Sequence, residues 1–343
     1  MTKKIARTGG LIFFIVLATL PFWLLQGEYV RGVGVQALTV AALAVSWNII
    51  GGFGGGLSFG HAAFFGVGAY TSSLLLIHAN ISPWVGGLTG TIVAGLLALF
   101  VGSFSLHLRG IYFALVTFVF GLILLLLFRY FVGFTGGDVG LSLPLTEPSL
   151  AMLQFRGQMG YYYVALGVLA VYVTISMVIS KSSFGYRLRA LRDDEEVAEA
   201  LGVATTRVKL QAFVLSAMMV AFVGTVVAQH NLFIDPGSAF GVDRSIEMVL
   251  GAIFGGVGTV WGPVVGGFAI VLISEWANIG LGDIMAGADT VAYGIVLMAV
   301  ALWLPDGLMS IARRVTRFWR RRSAASAMDI PANQEQNNKA EAK

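Results

Sequence analysis

The sequence predicts an all-α integral membrane protein, a polytopic bundle of about eight to ten transmembrane helices. Three observations carry that reading. Only 12% of the 343 residues are charged and 57% are hydrophobic; the mean hydropathy is +0.82; and apolar runs long enough to cross a bilayer recur along most of the chain. A soluble domain carries roughly 25% charged residues, so the charge needed to cover a water-facing surface is missing. The chain has no cysteine, which removes disulfide frameworks and thiolate metal sites and leaves the redox compartment open.

A hydrocarbon core of roughly 30 Å needs about 20 apolar helical residues to cross it. Runs of that kind lie at 10–25, 33–50, 57–77, 84–105, 110–130, 160–180, 210–229, 244–259, 262–279 and 288–304. The first follows Lys3, Lys4 and Arg7, as a signal peptide would. Gln26, Gly27, Glu28 and Tyr29 come next, in place of a small-residue cleavage site, so it is expected to remain as a span. The runs 57–77 and 244–259 are short or broken by glycine. Irregular backbone at membrane depth is tolerated only where protein or a water-filled cavity satisfies it, so these segments are expected to point inward, some as re-entrant elements.

Charge placement orients the bundle. With a cytoplasmic N-terminus, ten crossings put all of the 22 Lys and Arg on the inside except Arg31, Arg129, Arg156 and Arg244. That asymmetry is the positive-inside pattern. The organisation expected is a cytoplasmic segment 1–9, a membrane domain 10–305 that includes an inner loop 181–209, and a disordered cytoplasmic tail 306–343. Residues 311–343 hold eight basic residues against three acidic ones. So close to a last span they mark the cytoplasmic face, and no nucleic-acid partner is expected.

The 44 glycines gather between 51 and 68 and again between 251 and 267. Small residues let helix backbones approach closely in lipid, and packing is preferred here over direct substrate contact. The early and late positions of the two clusters hint at a distant internal duplication.

Several absences narrow the function. No Asp, Glu, Lys or Arg falls at the centre of any run; Glu247, Glu275 and Arg129 lie near run ends. An ion-coupled transporter needs such groups within the membrane. His61, beside Gly60, Ala62 and Ala63, is the most interior titratable residue and reads as a packing histidine rather than a relay. No G-x-x-x-x-G-K-[ST] pattern, H-E-x-x-H pattern or G-x-S-x-G elbow occurs. No catalytic residue, metal site or cofactor is therefore expected in this chain, and active transport would draw its energy from another.

The inner loop 181–209 carries the marks of a short helix. Asp193 or Asp194 can cap it, and Glu195 and Glu196 suit its first turn, where the macrodipole favours negative charge. Val197 and Leu201 share a face, with Ala198 and Ala200 adding small bulk beside Glu199. Gly202 falls where a left-handed C-terminal cap is wanted, and Thr205 or Thr206 is placed to cap the next span. About two turns of helix are marginal alone in water. Docking into a groove of a partner and a merely solvated helical loop suit these features equally.

At this loop the sequence resembles a known family. Ala198, Glu199, Ala200, Leu201 and Gly202 resemble the glutamate-alanine-alanine plus glycine signature of bacterial ABC-importer permeases, whose loop forms a coupling helix seated in a cleft of the ATPase. Residues 56–71 (GLSFGHAAFFGVGAYT) resemble the early glycine-rich segment of LivM-type permeases for branched-chain amino acids. Residues 109–117 (RGIYFALVT), 135–141 (TGGDVGL), 188–195 (LRALRDDE), 208–217 (VKLQAFVLSA) and 255–263 (GGVGTVWGP) are similar to the same subunit, so the resemblance spans about 45–307. The loop departs from the general signature in lacking a Leu-Pro after its glycine.

What the resemblance implies is an ABC-importer permease in the bacterial inner membrane, itself no enzyme. It would pair with a homologous second permease, two ATPase subunits that hold ATP and Mg, and a periplasmic substrate-binding protein. Branched-chain amino acids are the implied cargo, with urea, short-chain amides or aromatic acids as alternatives in the same architecture. Asp193 to Gly202 would be the coupling element. Ser58, His61, Thr117 and Thr135 are the candidates for a pathway facing the glycine-rich core, although Ser and Thr in spans commonly bond to helix backbone instead. Two rivals remain: a self-sufficient facilitator, which leaves the loop 181–209 unexplained, and a membrane transferase built on His61, Asp138 and the loop 131–159.

Overall fold

The computed structural model describes residues 2–23, 27–108 and 110–281, together with 294, 307 and 308. The run expected at 288–304 and the basic tail 306–343 lie outside the described residues apart from those three positions, as does Arg109.

In chain order the helices are α1 (Thr2–Trp23), α2 (Glu28–Asn48, continued by a π turn Ile49–Phe53), α3 (His61–Ala79), α4 (Pro83–Ser105), α5 (Ile111–Tyr130), α6 (Val132–Thr135), α7 (Gln158–Lys181), α8 (Ser183–Asp193), α9 (Glu195–Ala200), α10 (Thr205–Asn231), α11 (Pro236–Phe240), α12 (Val242–Gly255) and α13 (Gly262–Leu281). Two short strands, β1 (Leu141–Ser142) and β2 (Phe233–Ile234), pair antiparallel. Among the described residues seven helices are long and apolar enough to cross a membrane, α2 with its π turn, α3, α4, α5, α7, α10 and α13, and a shorter apolar stretch, Ile12–Trp23, joins them. The chain is a multi-pass membrane protein. The expected runs that fall within the described residues appear in order, with two informative differences.

The first difference is at 57–77, where helix begins only at His61 and residues 54–60 form an irregular stretch. The second is at 244–259, where α12 has 14 residues. At 1.5 Å per residue that is about 21 Å, short of the roughly 30 Å of a hydrocarbon core. Residues 232–255 nevertheless run from one end of the bundle to the other, through β2 and α11 and then α12. We call the end carrying 182–204 the lower end and the end carrying 131–157 the upper. Leu143 N–H donates to the Leu232 carbonyl at the upper end, 2.9 Å. Gly258 N–H, just past α12, donates to Asn48 Oδ1 near the lower end of α2, 2.9 Å. Residues 2–9, expected as a separate segment, belong to α1.

Packing explains the glycine clusters. α3 and α10 cross at Gly68 and Gly224 so closely that a Cβ at Gly68 would overlap the Ala221 carbonyl oxygen, and one at Gly224 that of Phe65. Thr225 Oγ1 reaches the Gly68 carbonyl across the crossing, 3.2 Å. Below it, Phe64, Phe213 and Phe113 pack edge to face, with centroids 5.4 and 5.8 Å apart along the series. The most apolar span, α5, is only 28% buried while α2 is 83% buried. α2 is therefore the central helix, and α5 faces lipid with Ile123 and Leu126 exposed.

Gly68→Leu should overfill this crossing. Overpacking typically costs about 1–3 kcal/mol, more when backbone is the obstacle, so thermal unfolding in detergent should show a lowered midpoint and a loss of monodisperse protein. Gly133→Leu, at a position with open space around it, should leave the midpoint unchanged.

Candidate functional site

The lower-end loop folds as two short helices. α8 is capped by Ser182, whose Oγ accepts from Gly185 N–H at 3.2 Å. α9 is capped by Asp194, not Asp193: its Oδ1 accepts from Glu196 N–H at 3.0 Å and Val197 N–H at 3.1 Å. Asp193 is instead the last residue of α8. Gly202 has φ +84°, the left-handed conformation expected of it, and its N–H donates to the Glu199 carbonyl at 2.9 Å. Neither Thr205 nor Thr206 caps the next span: α10 starts at Thr205 after Ala204, with no side-chain cap.

Of α9, only Ala198 is buried, turned against the bundle, while Val197 is 54% and Leu201 80% exposed. Glu196, Glu199 and Ala200 are exposed as well, and Glu195 is half-buried. Glu195 Oε2 pairs with Lys209 Nζ at the foot of α10, 2.6 Å. The helix is thus a small knob with an apolar edge outward, tied to the bundle by an ion pair.

A second tie runs inward. Arg192, in the last turn of α8, donates from Nη1 to the Gly52 carbonyl in the π turn of α2, 2.9 Å. Four residues earlier, Asn48 holds the loop after α12: its Nδ2 donates to the Thr259 carbonyl at 2.9 Å while its Oδ1 takes the Gly258 N–H. The loop 182–204, the end of α2 and the end of α12 therefore form one hydrogen-bonded unit.

The expected pathway residues divide. Ser58, His61 and Thr117 come together around the break at 54–60. His61 Nδ1 bonds Ser58 Oγ and its Nε2 bonds Ser216 Oγ, both at 2.9 Å, and Ser216 Oγ donates to the Ser46 carbonyl at 2.7 Å. Thr117 Oγ1 donates to the carbonyls of Phe113 and Ala114 at 3.1 and 3.0 Å and accepts from Phe59 N–H at 3.3 Å. Thr135 sits apart at the upper end, bonded to the Phe128 and Phe131 carbonyls at 2.5 and 2.9 Å. All four are buried; Ser58, His61 and Thr117 bond within the break before α3 and to Ser216 beside it, and none of the four lines the two clefts along α2, α12 and α13.

Open clefts lie elsewhere, lined in part by charges that the sequence placed near run ends or in an outer loop. Two adjoining clefts of about 640 and 450 Å³ run along α2, α12 and α13, and both are lined by Gln36 and Arg244. Glu275 and His230 line the larger, Asp243 and Glu247 the smaller. Tyr29 Oη bonds Glu275. Arg244, assigned from the charge pattern to an outer loop, sits instead in the first turn of the half-span α12. Its guanidinium carbon lies 5.1 Å from the centre of the Phe65 ring, and the neighbouring Ser245 Oγ accepts the Ala62 N–H at the start of α3, 2.9 Å. The signal was hidden because a half-helix starting at depth looks, in sequence, like the end of a full span.

The transferase constellation does not assemble. Asp138 pairs with Arg129 at the exposed upper end, 2.7 Å, whereas His61 lies in the interior. No group of three or more His, Cys, Asp or Glu is placed to hold a metal among the described residues.

Residues 29–304 match the family model described as branched-chain amino acid transport system / permease component. The chain belongs to that family of membrane permeases. It is similar to the high-affinity branched-chain amino acid transport system permease protein LivM of Escherichia coli, 28% identical over 340 residues that cover 88% of this chain and 75% of the relative. The LivM protein of Salmonella typhimurium is 26% identical over 329 residues, covering 87% and 74%. The LivH permease protein of Escherichia coli is 22% identical over 295 residues, 79% of this chain and 91% of the relative. No solved structure matches the chain.

Ser216→Ala would leave the His61 ring nitrogen without its partner and take one donor from the Ser46 carbonyl, which keeps the Ile49 N–H. Orphaning a buried polar group costs about 1–3 kcal/mol, so a clear drop in the detergent unfolding midpoint is expected. Ser176→Ala, whose buried hydroxyl has no hydrogen-bond partner, should change the midpoint little.

Proposed function

We propose that this chain is the permease subunit of an ATP-driven importer that moves branched-chain amino acids into the cytoplasm. The lower end is then cytoplasmic and the upper end periplasmic, in a bacterial inner membrane. The observation that carries the reading is α9, a capped helix with Val197 and Leu201 outward and Ala198 inward. Exposed leucine and valine on so short a helix gain nothing in water, and a groove on an ATPase subunit would give them a partner. The energy then comes from ATP and Mg held by two such subunits, since this sequence has no phosphate-cradling loop.

The ties described above suggest the route of coupling. When the ATPases close, force on α9 reaches Arg192 directly through the short α8–α9 junction. Arg192 pulls on the Gly52 carbonyl, and Asn48 links that segment to the loop after α12. Both broken crossings can therefore tilt together while the long spans keep their packing.

The clefts along α2, α12 and α13 argue for the second permease. A face bearing Gln36, Arg244, Glu247 and Glu275 cannot lie against lipid tails without a large cost. A homologous permease across that face would enclose a polar pathway, and the similarity to both LivM and LivH proteins fits such a pair. The periplasmic binding protein would deliver its cargo at the upper end.

The reading is tested by reconstitution with the partner chains. Uptake of leucine should require the ATPases and ATP, and flux through this chain alone would support a facilitator instead. Gly202→Leu forces a side chain onto φ +84°, a conformation costing roughly 1–2 kcal/mol for an L-residue. Together with Glu199→Trp on the knob, it should cut uptake at least tenfold while insertion and the ATPases' own hydrolysis persist. Undiminished uptake by both variants would contradict the assignment.

A further inference from the structure

Arg244 and Glu247 sit one turn apart at the start of α12. Arg244 Nη1 and Glu247 Oε2 are 2.7 Å apart, and their side chains are 25% and 19% exposed. The level is set by their neighbours. Ser245 between them caps α3 at Ala62, beside the His61 network, and Phe65 one turn further along α3 lies under the guanidinium. The pair is therefore at membrane depth, within a crossing and not above it.

An ion pair of this spacing adds little to a helix, while desolvating two charges costs much more. Ionisable residues within membrane crossings are rare for that reason and mark pathways. This pair also faces open space. Arg244 lines both clefts and Glu247 one of them. Arg244 Nε is buried with no hydrogen-bond partner, an unsatisfied donor that a purely structural ion pair does not explain.

We propose that Arg244 and Glu247 are the substrate-reading pair of the pathway: Arg244 takes the carboxylate and Glu247 the ammonium of a free α-amino acid. The proposal rests on the importer reading above and adds to it the residues that read the two charges of its zwitterionic substrate. With the pathway empty, each charge neutralises the other. When a zwitterion enters, each exchanges its partner for the opposite charge on the substrate, so no bare charge is left at depth. A guanidinium fork suits a carboxylate, which accepts two parallel N–H bonds. A neutral solute such as urea or an amide can replace neither partner, and a singly charged one leaves one buried charge unmatched. The same cleft carries Ile246, Leu250, Ile270 and Val271, an apolar wall for a branched aliphatic side chain.

The test uses the importer assembled from all its chains and placed in nanodiscs, without the soluble binding protein. Equilibrium binding is measured for leucine, for 3-methylbutylamine (leucine without its carboxylate) and for 4-methylpentanoate (leucine without its amine). Wild type should bind leucine at least tenfold tighter than either analogue. Arg244→Gln should weaken leucine at least tenfold while the amine binds as well as to wild type or better; Glu247→Gln should weaken leucine while the acid binds as well as to wild type or better. That crossed pattern is one a merely structural ion pair does not produce. Equal weakening of all three ligands, unchanged leucine binding in both variants, or no leucine binding by a wild type that imports leucine with the binding protein restored would each overturn the pair's role. An assembly that hydrolyses ATP and imports no leucine even with the binding protein would instead overturn the importer reading itself.

Discussion

Everything in this molecule depends on one constraint: backbone that leaves the helix inside a membrane must find its hydrogen bonds in the protein. Two crossings break. The irregular stretch before His61 and the short segment before Val242 bring the starts of α3 and α12 together in the interior, where Ser245 Oγ takes the Ala62 N–H. Around that junction Ser58, His61, Ser216 and Ser46 form a closed chain of hydrogen bonds, and Thr117 takes the Phe59 N–H. In hydrocarbon, each of those groups left alone would cost several kcal/mol. The breaks persist because the interior is built to receive them.

The consequence reaches both ends. Because α12 starts at depth, its first turn sets Arg244 and Glu247 beside an open cleft, where a full-length span would have lifted them to the surface. Because the helix ends at Phe53, its last carbonyls have no partner within it, and the Gly52 carbonyl accepts from Arg192 in α8. Asn48 then bonds the loop after α12 with both ends of its amide. The inner loop and the broken crossings are thereby a single mechanical unit, while α3, α4 and α10 form a glycine-mediated block behind it. That division into a tied unit and a packed block suits the importer subunit proposed above.

Much of this was legible in the sequence. Hydropathy gave the spans and their order, because a lipid-facing helix such as α5 declares itself by composition. The acidic first turn and Gly202 gave α9, because capping is a local matter. The glycine clusters pointed to close packing, which Gly68 and Gly224 realise. The depth of residues in the broken crossings was not legible. Arg244 and Glu247 read as flanking charges, since hydropathy averages over a window and cannot tell that helix begins halfway across. Ser58, His61, Thr117 and Thr135 were expected to face the glycine-rich core; the first three meet at the break before α3, and Thr135 lies in the upper-end turn. Asp194 rather than Asp193 as the cap, and Ala204 rather than a threonine before α10, are one-residue choices decided by where α8 ends.

The central claim is that α9 is the surface on which a motor subunit acts. The chain has no native cysteine, so a single Leu201→Cys reports on that surface alone. In cells carrying the whole transporter, a short thiol crosslinker should join position 201 to a nucleotide-hydrolysing subunit, with the yield changing on ATP binding, and a membrane-impermeant maleimide added outside should leave the position unlabelled. Labelling from outside, or a position 201 that joins no such subunit in any nucleotide state, would contradict the account.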